Sequence, residues 1–174
     1  MVNDIIMESR RNRLAIEFAR KVSSILEENL KDNLVSVCLY GSTVRGGLRI
    51  GSDMDFLVVL GKAPSSYHKR IKGFLLLMEN IRESKEYMDI ERLNLQLEPS
   101  FLVFTIDEVK KHPPVLIDIS YEGVIFYDKG NFLKRQLESL REKLTEFGAI
   151  KKMTPQGHYW ILKPDIKVGE VFEI

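Results

Sequence analysis

Very little in this 174-residue chain lends itself to cross-linking. It has one cysteine, Cys38, and three histidines, His68, His112 and His158, scattered without ligand spacing. An internal disulfide is excluded, and a zinc cluster of Cys and His ligands has no support. No apolar run approaches the roughly 18 residues that suggest a membrane span, and no leader pattern opens the chain, so a soluble, cytoplasmic protein with no membrane partner is expected. Charge of one sign is missing too: 26 Lys and Arg against 25 Asp and Glu leave a net charge of +1. A duplex binder would carry a basic excess or stripe, so composition makes no case for nucleic acid. Two phosphate-binding patterns are likewise absent. No glycine-rich loop ends in Gly-Lys-Ser/Thr, and no G-x-G-x-x-G opens a helix, which excludes a P-loop lysine and a dinucleotide fingerprint.

What the chain does have is a stretch around which the rest is organised. The apolar run Val37-Cys38-Leu39-Tyr40 breaks into Gly41-Ser42, and ten residues after Ser42 comes Asp53-Met54-Asp55-Phe56-Leu57-Val58-Val59-Leu60. This reads as two strands joined by a glycine-containing loop. Side chains alternate along a strand, so Asp53 and Asp55 share one face while Met54 and Phe56 point into the core. Two carboxylates held side by side resist joint ionisation unless a cation sits between them. Oxygen-only ligands select a hard ion, and Mg²⁺ takes one or two carboxylates, keeps waters and completes its shell from substrate phosphates. Gly41-Ser42 supplies a complementary feature, a turn whose backbone N–H groups can approach an anion closely, with a hydroxyl beside them. Metal seat and phosphate cradle together face a nucleoside triphosphate.

These residues resemble the signature of the DNA polymerase beta-like nucleotidyltransferase superfamily. Tyr40-Gly41-Ser42, the ten-residue gap and Asp53-Met54-Asp55-Phe56 fit each position of it. The longer run Gly41-Ser42-Thr43-Val44-Arg45-Gly46, followed by Ser52-Asp53-Met54-Asp55, is similar to the minimal nucleotidyltransferase branch. The resemblance implies an α/β fold with a small mixed sheet, and transfer of a nucleoside monophosphate from NTP, with ATP the expected donor, to an acceptor hydroxyl with release of pyrophosphate. It implies that Asp53 and Asp55 hold Mg²⁺, with two ions possible, and that Gly41 and Ser42 hold the β- and γ-phosphates. Arg45 is either a triphosphate contact or a solvated loop charge, and Ser52 either a nucleotide contact or a strand-entry residue. The family also uses a third carboxylate from a neighbouring strand. Relatives of this branch often sit beside a helical HEPN protein as antitoxins, so a HEPN partner and a catalytically dead nucleotide-binding module are the alternatives. The acceptor, whether protein, RNA or small molecule, is not named by the sequence.

Along the chain, residues 4–30 carry Ile5, Leu14, Phe18, Val22 and Ile25 at helical spacing. Residues 67–84 repeat the pattern with Ile71, Phe74, Leu75, Met78 and Ile81, and their Lys69, Arg70 and Lys72 are expected on the solvated surface, with a triphosphate contact the alternative. The alternation Leu93-Asn94-Leu95-Gln96-Leu97-Glu98 predicts the third strand, with Pro99 as a bulge beyond it. Glu98 is the acid on its polar face and the candidate third catalytic carboxylate, with Asn94 the alternative occupant of that position. Thr105 is an N-cap for a short helix from Ile106, Pro113-Pro114 open another that closes at Glu122-Gly123, and Val124–Asp128 reads as a strand. Asp118 falls within the helical pattern and is not taken as a catalytic acid. Leu133, Leu137, Leu140, Leu144 and Phe147 form an apolar seam over residues 131–147, closed by Gly148. That seam packs either on its own sheet or on a partner, in a homodimer or a HEPN complex. The chain divides into a nucleotidyltransferase-like domain, 1–128, and a C-terminal helix with an aromatic and basic tail, 129–174. The tail, with Lys151, Lys152, His158, Tyr159, Trp160 and Lys163, is a flap closing the core or a base-stacking surface, ending in a short strand over 169–173.

Overall fold

The computed structural model describes residues 2–45, 51–167 and 170–172, with side chains from residue 10 onward. Gly46 of the motif lies outside the described residues, as do the side chain of Ile5 and part of the strand expected over 169–173; Glu170, Val171 and Phe172 form no strand. Helix α1 (Val2–Leu30) leads through a 3-10 turn to β1 (Leu34–Tyr40), and β2 (Asp53–Leu60) returns antiparallel beside it, with Tyr40 opposite Asp55. Helices α2 (Tyr67–Arg82) and α3 (Lys85–Arg92) then carry the chain over to β3 (Glu98–Thr105), which runs parallel to β2. After α4 (Ile106–Val109) and α5 (Val115–Glu122), β4 (Val124–Asp128) pairs antiparallel with β1, giving the sheet order β3-β2-β1-β4. Helix α6 (Phe132–Glu146) and a separate hairpin of β5 (Ile150–Thr154) and β6 (Gly157–Ile161) complete the described elements.

Strand alternation divides the core in two. Met54, Phe56, Val58 and Leu60 of β2 join Phe18, Val22 and Leu26 of α1 and Phe74 and Ile90 of the crossover helices. Leu57 and Val59, on the opposite face, join Val109, Leu116, Leu140 and Leu144. The resemblance implies a small mixed sheet with helices on one face, but here helices cover both faces. The α6 seam decides this: Leu133, Leu137, Leu140 and Leu144 are all buried within the chain's own second cluster. A residue already packed at home offers no apolar face to a partner, so the choice between own sheet and second chain falls to the former. Trp160 and Leu162 pack against the same cluster, as a flap would.

Three local expectations need correction. Residues 93–97 are not a strand: Asn94 and Gln96 have φ of 55° and 49°, while Leu95 and Leu97 are buried. The apolar-polar alternation there comes from a winding segment that buries every second side chain, and the third strand begins only at Glu98. Pro99 makes no bulge, since β3 pairs residue for residue with β2 from Glu98 to Thr105. It is tolerated because β3 is an edge strand: Phe101 and Val103 turn their carbonyls outward, to Tyr67 Oη at 3.2 Å and Arg70 Nη1 at 3.1 Å, so Pro99, two residues earlier, directs its missing N–H outward as well. Arg70 is not a solvated cation. It is buried, donates through Nε to Pro64 O, and forms a two-pronged pair with Glu108 at 2.6 and 2.9 Å.

Candidate active site

The ends of β1 and β2 bring the motif together. Gly41 follows β1 directly with φ +81°, a left-handed conformation that residues with a Cβ rarely adopt. A Cβ built on it would lie 2.4 Å from Asp55 Oδ2. The turn and the second acid are therefore in contact, and only a residue without a side chain leaves Asp55 its place. Ser42 comes next, half-buried, and Thr43 fastens the loop to the head of β2 by donating from Oγ1 to Asp53 O at 3.3 Å. Ser52 enters β2 half-buried, just after Gly51, whose N–H donates to Leu95 O at 3.0 Å.

Asp53 is exposed, Asp55 is half-buried, and the alternation of β2 puts both on one face. Burial, and next the charge of Asp53, push the Asp55 carboxyl above its ordinary range, while Arg45 and a hydrogen bond from the Ser100 side chain pull the other way. An acid pair of this kind is stabilised by a cation placed between its members. Among the described residues no group of three or more His, Cys, Asp and Glu side chains assembles for a metal. The donor set is two carboxylates on a solvent-accessible face, which fits a hard divalent ion that keeps waters and accepts ligand oxygens. It does not fit zinc or another ion that requires nitrogen or sulfur.

Glu98 stands directly across from Asp53 in the β2–β3 register, and Asn94 is off the sheet. The Glu98 side chain is engaged, however. Tyr87 Oη donates to Oε1 at 2.6 Å and Arg82 Nη2 to Oε2 at 3.1 Å. The Tyr87 phenol is pushed up to about 12 by burial and by this bond. Arg45 is engaged as well, with Nη1 2.6 Å from Glu122 Oε2 on α5. Sequence reasoning missed Arg82, Tyr87 and Glu122, because each reaches the site from another element, and it missed Ser100 as well. Pro99 and Ser100 did follow Glu98 in plain view, and strand alternation from Glu98 would have put Ser100 on the same face.

Beside these residues a cleft of about 680 Å³ opens between α2 and the β3 edge. Asp53, Glu98 and Ser100 line one end, and Ile71, Phe74 and Met78 form an apolar wall. The loop 41–45 follows β1, on the other side of β2 from β3. The carboxylates are thus flanked by a polar loop with a cation on one side and a half-apolar cleft on the other.

Residues 19–144 match the family model described as a nucleotidyltransferase domain. The chain is 31% identical over 160 residues to the spectinomycin 9-adenylyltransferase of Enterococcus faecalis, an alignment covering 89% of this chain but 60% of that enzyme's length. It is 28% identical over 134 residues to a protein of Methanocaldococcus jannaschii assigned, by inference, as a protein adenylyltransferase, covering 77% of this chain and 83% of that one. Among solved structures, a spectinomycin adenyltransferase from Enterococcus with ATP and spectinomycin superposes with a TM-score of 0.46 at 18% identity, over 75% of this chain and 67% of that one. A toxin-antitoxin structure with AMP-PNP gives 0.44 at 13% identity, over 75% and 92%.

Proposed function

The chain belongs to the nucleotidyltransferase domain family, and from that premise we propose that it transfers a nucleoside monophosphate from ATP to an acceptor hydroxyl. The observation that carries this reading is the contact between the Gly41 turn and Asp55, where an added Cβ would stand 2.4 Å from the carboxylate. A polyphosphate cradle and a metal-binding acid are thereby fused into one spot.

In this reading Asp53 and Asp55 hold Mg²⁺, which when bound neutralises charge on the phosphate oxygens. Gly41 and Ser42 present N–H and hydroxyl donors to the β- and γ-phosphates, Arg45 adds positive charge beside them, and Ser52 helps set the entry of β2. The acceptor oxygen forms a bond to the α-phosphorus, the bond from that phosphorus to the bridging oxygen breaks, and pyrophosphate leaves with the electron pair. Displacement in line requires the entering oxygen to stand opposite the leaving group. With the triphosphate tail on the loop side, the acceptor enters from the β3 side, through the cleft between α2 and β3. Glu98, at the mouth of that cleft, takes or steers the hydroxyl proton on a lone pair that Arg82 and Tyr87 leave open.

The spectinomycin enzyme and the assigned protein adenylyltransferase name two acceptors, spectinomycin and a protein. The mixed apolar and acidic lining of the cleft suits an acceptor that carries an apolar flank. A HEPN partner docked through the α6 seam is not adopted, since that seam is buried in the chain's own core.

The test is incubation with α-labelled ATP, Mg²⁺, and spectinomycin or a protein substrate pool. Label is expected on an acceptor with the native chain, with a loss of about a hundredfold to a thousandfold in Asp53→Asn and Asp55→Asn, the scale of removing a dominant electrostatic contribution. Metal-dependent ATP binding with no transfer to either acceptor class would instead favour a nucleotide-binding module.

A further inference from the structure

Two acids of α5 that transfer chemistry does not use connect the C-terminal hairpin to the loop after β1. Asp118 Oδ1 lies 2.7 Å from His158 Nε2, accepts from Trp160 Nε1 at 2.9 Å, and has Lys151 Nζ at 3.7 Å. The Trp160 ring stacks on Tyr121 with centroids 5.0 Å apart. One helical turn on, Glu122 receives Lys151 on Oε1 and Arg45, at 2.6 Å, on Oε2. Burial opposes ionisation of both acids, but their cationic and N–H donors outweigh it and hold both below the ordinary carboxylate range. These carboxylates are charged anchors.

The Glu122 side chain is 17% exposed and that of Arg45 is 43% exposed. The acid is therefore the fixed member and the loop arginine the one with freedom to lose. Among the described residues Arg45 spends one nitrogen on Glu122 and keeps its remaining N–H donors for another anion. Lys151 holds the other oxygen of Glu122 and also lies 3.7 Å from Asp118, so it fixes the acid on which Arg45 rests. A restrained arginine is a better phosphate ligand than a loose one, because less side-chain entropy remains to be lost on binding.

We infer that Lys151 and Glu122 are positioning residues for Arg45, so that the docked C-terminal hairpin is part of the triphosphate site and hairpin docking and nucleotide binding strengthen each other. This rests on the nucleotidyl-transfer reading above. Linkage makes the effect reciprocal: whatever hairpin docking adds to nucleotide affinity, nucleotide adds to hairpin docking.

The test measures Mg·ATP and AMP binding by calorimetry on the full chain. Lys151→Met is expected to weaken Mg·ATP binding about tenfold, within the usual range of coupling between sites, and to leave AMP binding unchanged. Lys152→Met, on the exposed side of the same strand, changes neither. In an Arg45→Met background the Lys151 substitution has no further effect. If Lys151→Met misfolds, hydrogen exchange on the native chain decides. Mg·ATP is expected to slow exchange of the amides in 150–154 and 157–161, and to leave them unchanged in Arg45→Met. ATP affinity indifferent to Lys151, a loss equal for AMP, or a full loss persisting without Arg45 would overturn the inference alone. Failure of the native chain to bind Mg·ATP would overturn it together with the transferase reading.

Discussion

Replacing the Gly41 hydrogen by a methyl group sets two costs against each other at one atom. The backbone at φ +81° strains any side chain, and the new carbon meets Asp55 Oδ2 at 2.4 Å, so either the turn opens or the acid leaves the shared face. Gly41→Ala should therefore lower stability by about 1–3 kcal/mol, the range for a residue forced into a sparsely populated conformation. It should also abolish Mg·ATP binding, although every charged group of the site is retained. Thermal denaturation and calorimetry on the same sample check both effects, and native nucleotide affinity in the variant would show that turn and acid are not one site. The identity of this glycine was readable in the sequence, since Gly-Ser after an apolar strand marks a loop. Its contact with Asp55 was not, because loop and acid meet only when β1 and β2 pair.

On the scale of elements, the edge strand β3 is held by side chains rather than by another strand. Tyr67 and Arg70 of α2 cover the outward carbonyls of Phe101 and Val103, and Arg70 is tied to Glu108 at the start of α4. Glu108 also closes a capping box with Thr105, so one carboxylate serves two elements. The bond from Arg70, against the opposing effect of burial, and further bonds from Thr105 hold the Glu108 carboxyl down from 4.5 to about 2. Because the folded value lies below the unfolded one, the stabilisation is full above pH 4.5 and drains away as the pH falls towards about 2. Glu108→Gln should be less stable than the native chain at neutral pH, and the gap between them should narrow across that acid window. Urea midpoints measured from pH 7 down to about 2 read this directly. A gap that stays constant with pH would mean that the pair contributes nothing through ionisation.

This clamp was illegible from sequence for a specific reason. Arg70 sits in a basic cluster, and nothing local distinguishes it from Lys69 or Lys72. Helix α3 escaped notice because eight residues with only Tyr87 and Ile90 buried give too short a periodic signal. The β5–β6 hairpin was hidden by its composition, since Lys152, Met153 and Thr154 are exposed and Pro155-Gln156 reads as any loop.

For the molecule as a whole, ligand and fold share one thermodynamic account. The loop after β1, α5 and the C-terminal hairpin are joined through Arg45, Glu122 and Lys151, so a ligand at the loop should be registered far from it. Mg·ATP at a concentration about a hundredfold above its dissociation constant should stabilise the native chain by about 2.7 kcal/mol, the value set by mass action for one site. Asp55→Asn should lose this increment while retaining a cooperative transition. Denaturant midpoints with and without Mg·ATP make the comparison. An equal shift in both proteins would place the nucleotide elsewhere.

The sequence by itself determined the two pairing strands, the glycine turn and the common orientation of Asp53 and Asp55, because strand alternation and turn chemistry act between near neighbours. Only the tertiary structure decided that Glu98 rather than Asn94 faces Asp53, that Arg70 is buried, that the α6 seam is spent on its own core, and that Arg45 meets an acid 77 residues away. Those outcomes depend on which surfaces come together when the sheet is covered on both faces, and periodicity along the chain carries no record of a partner so distant.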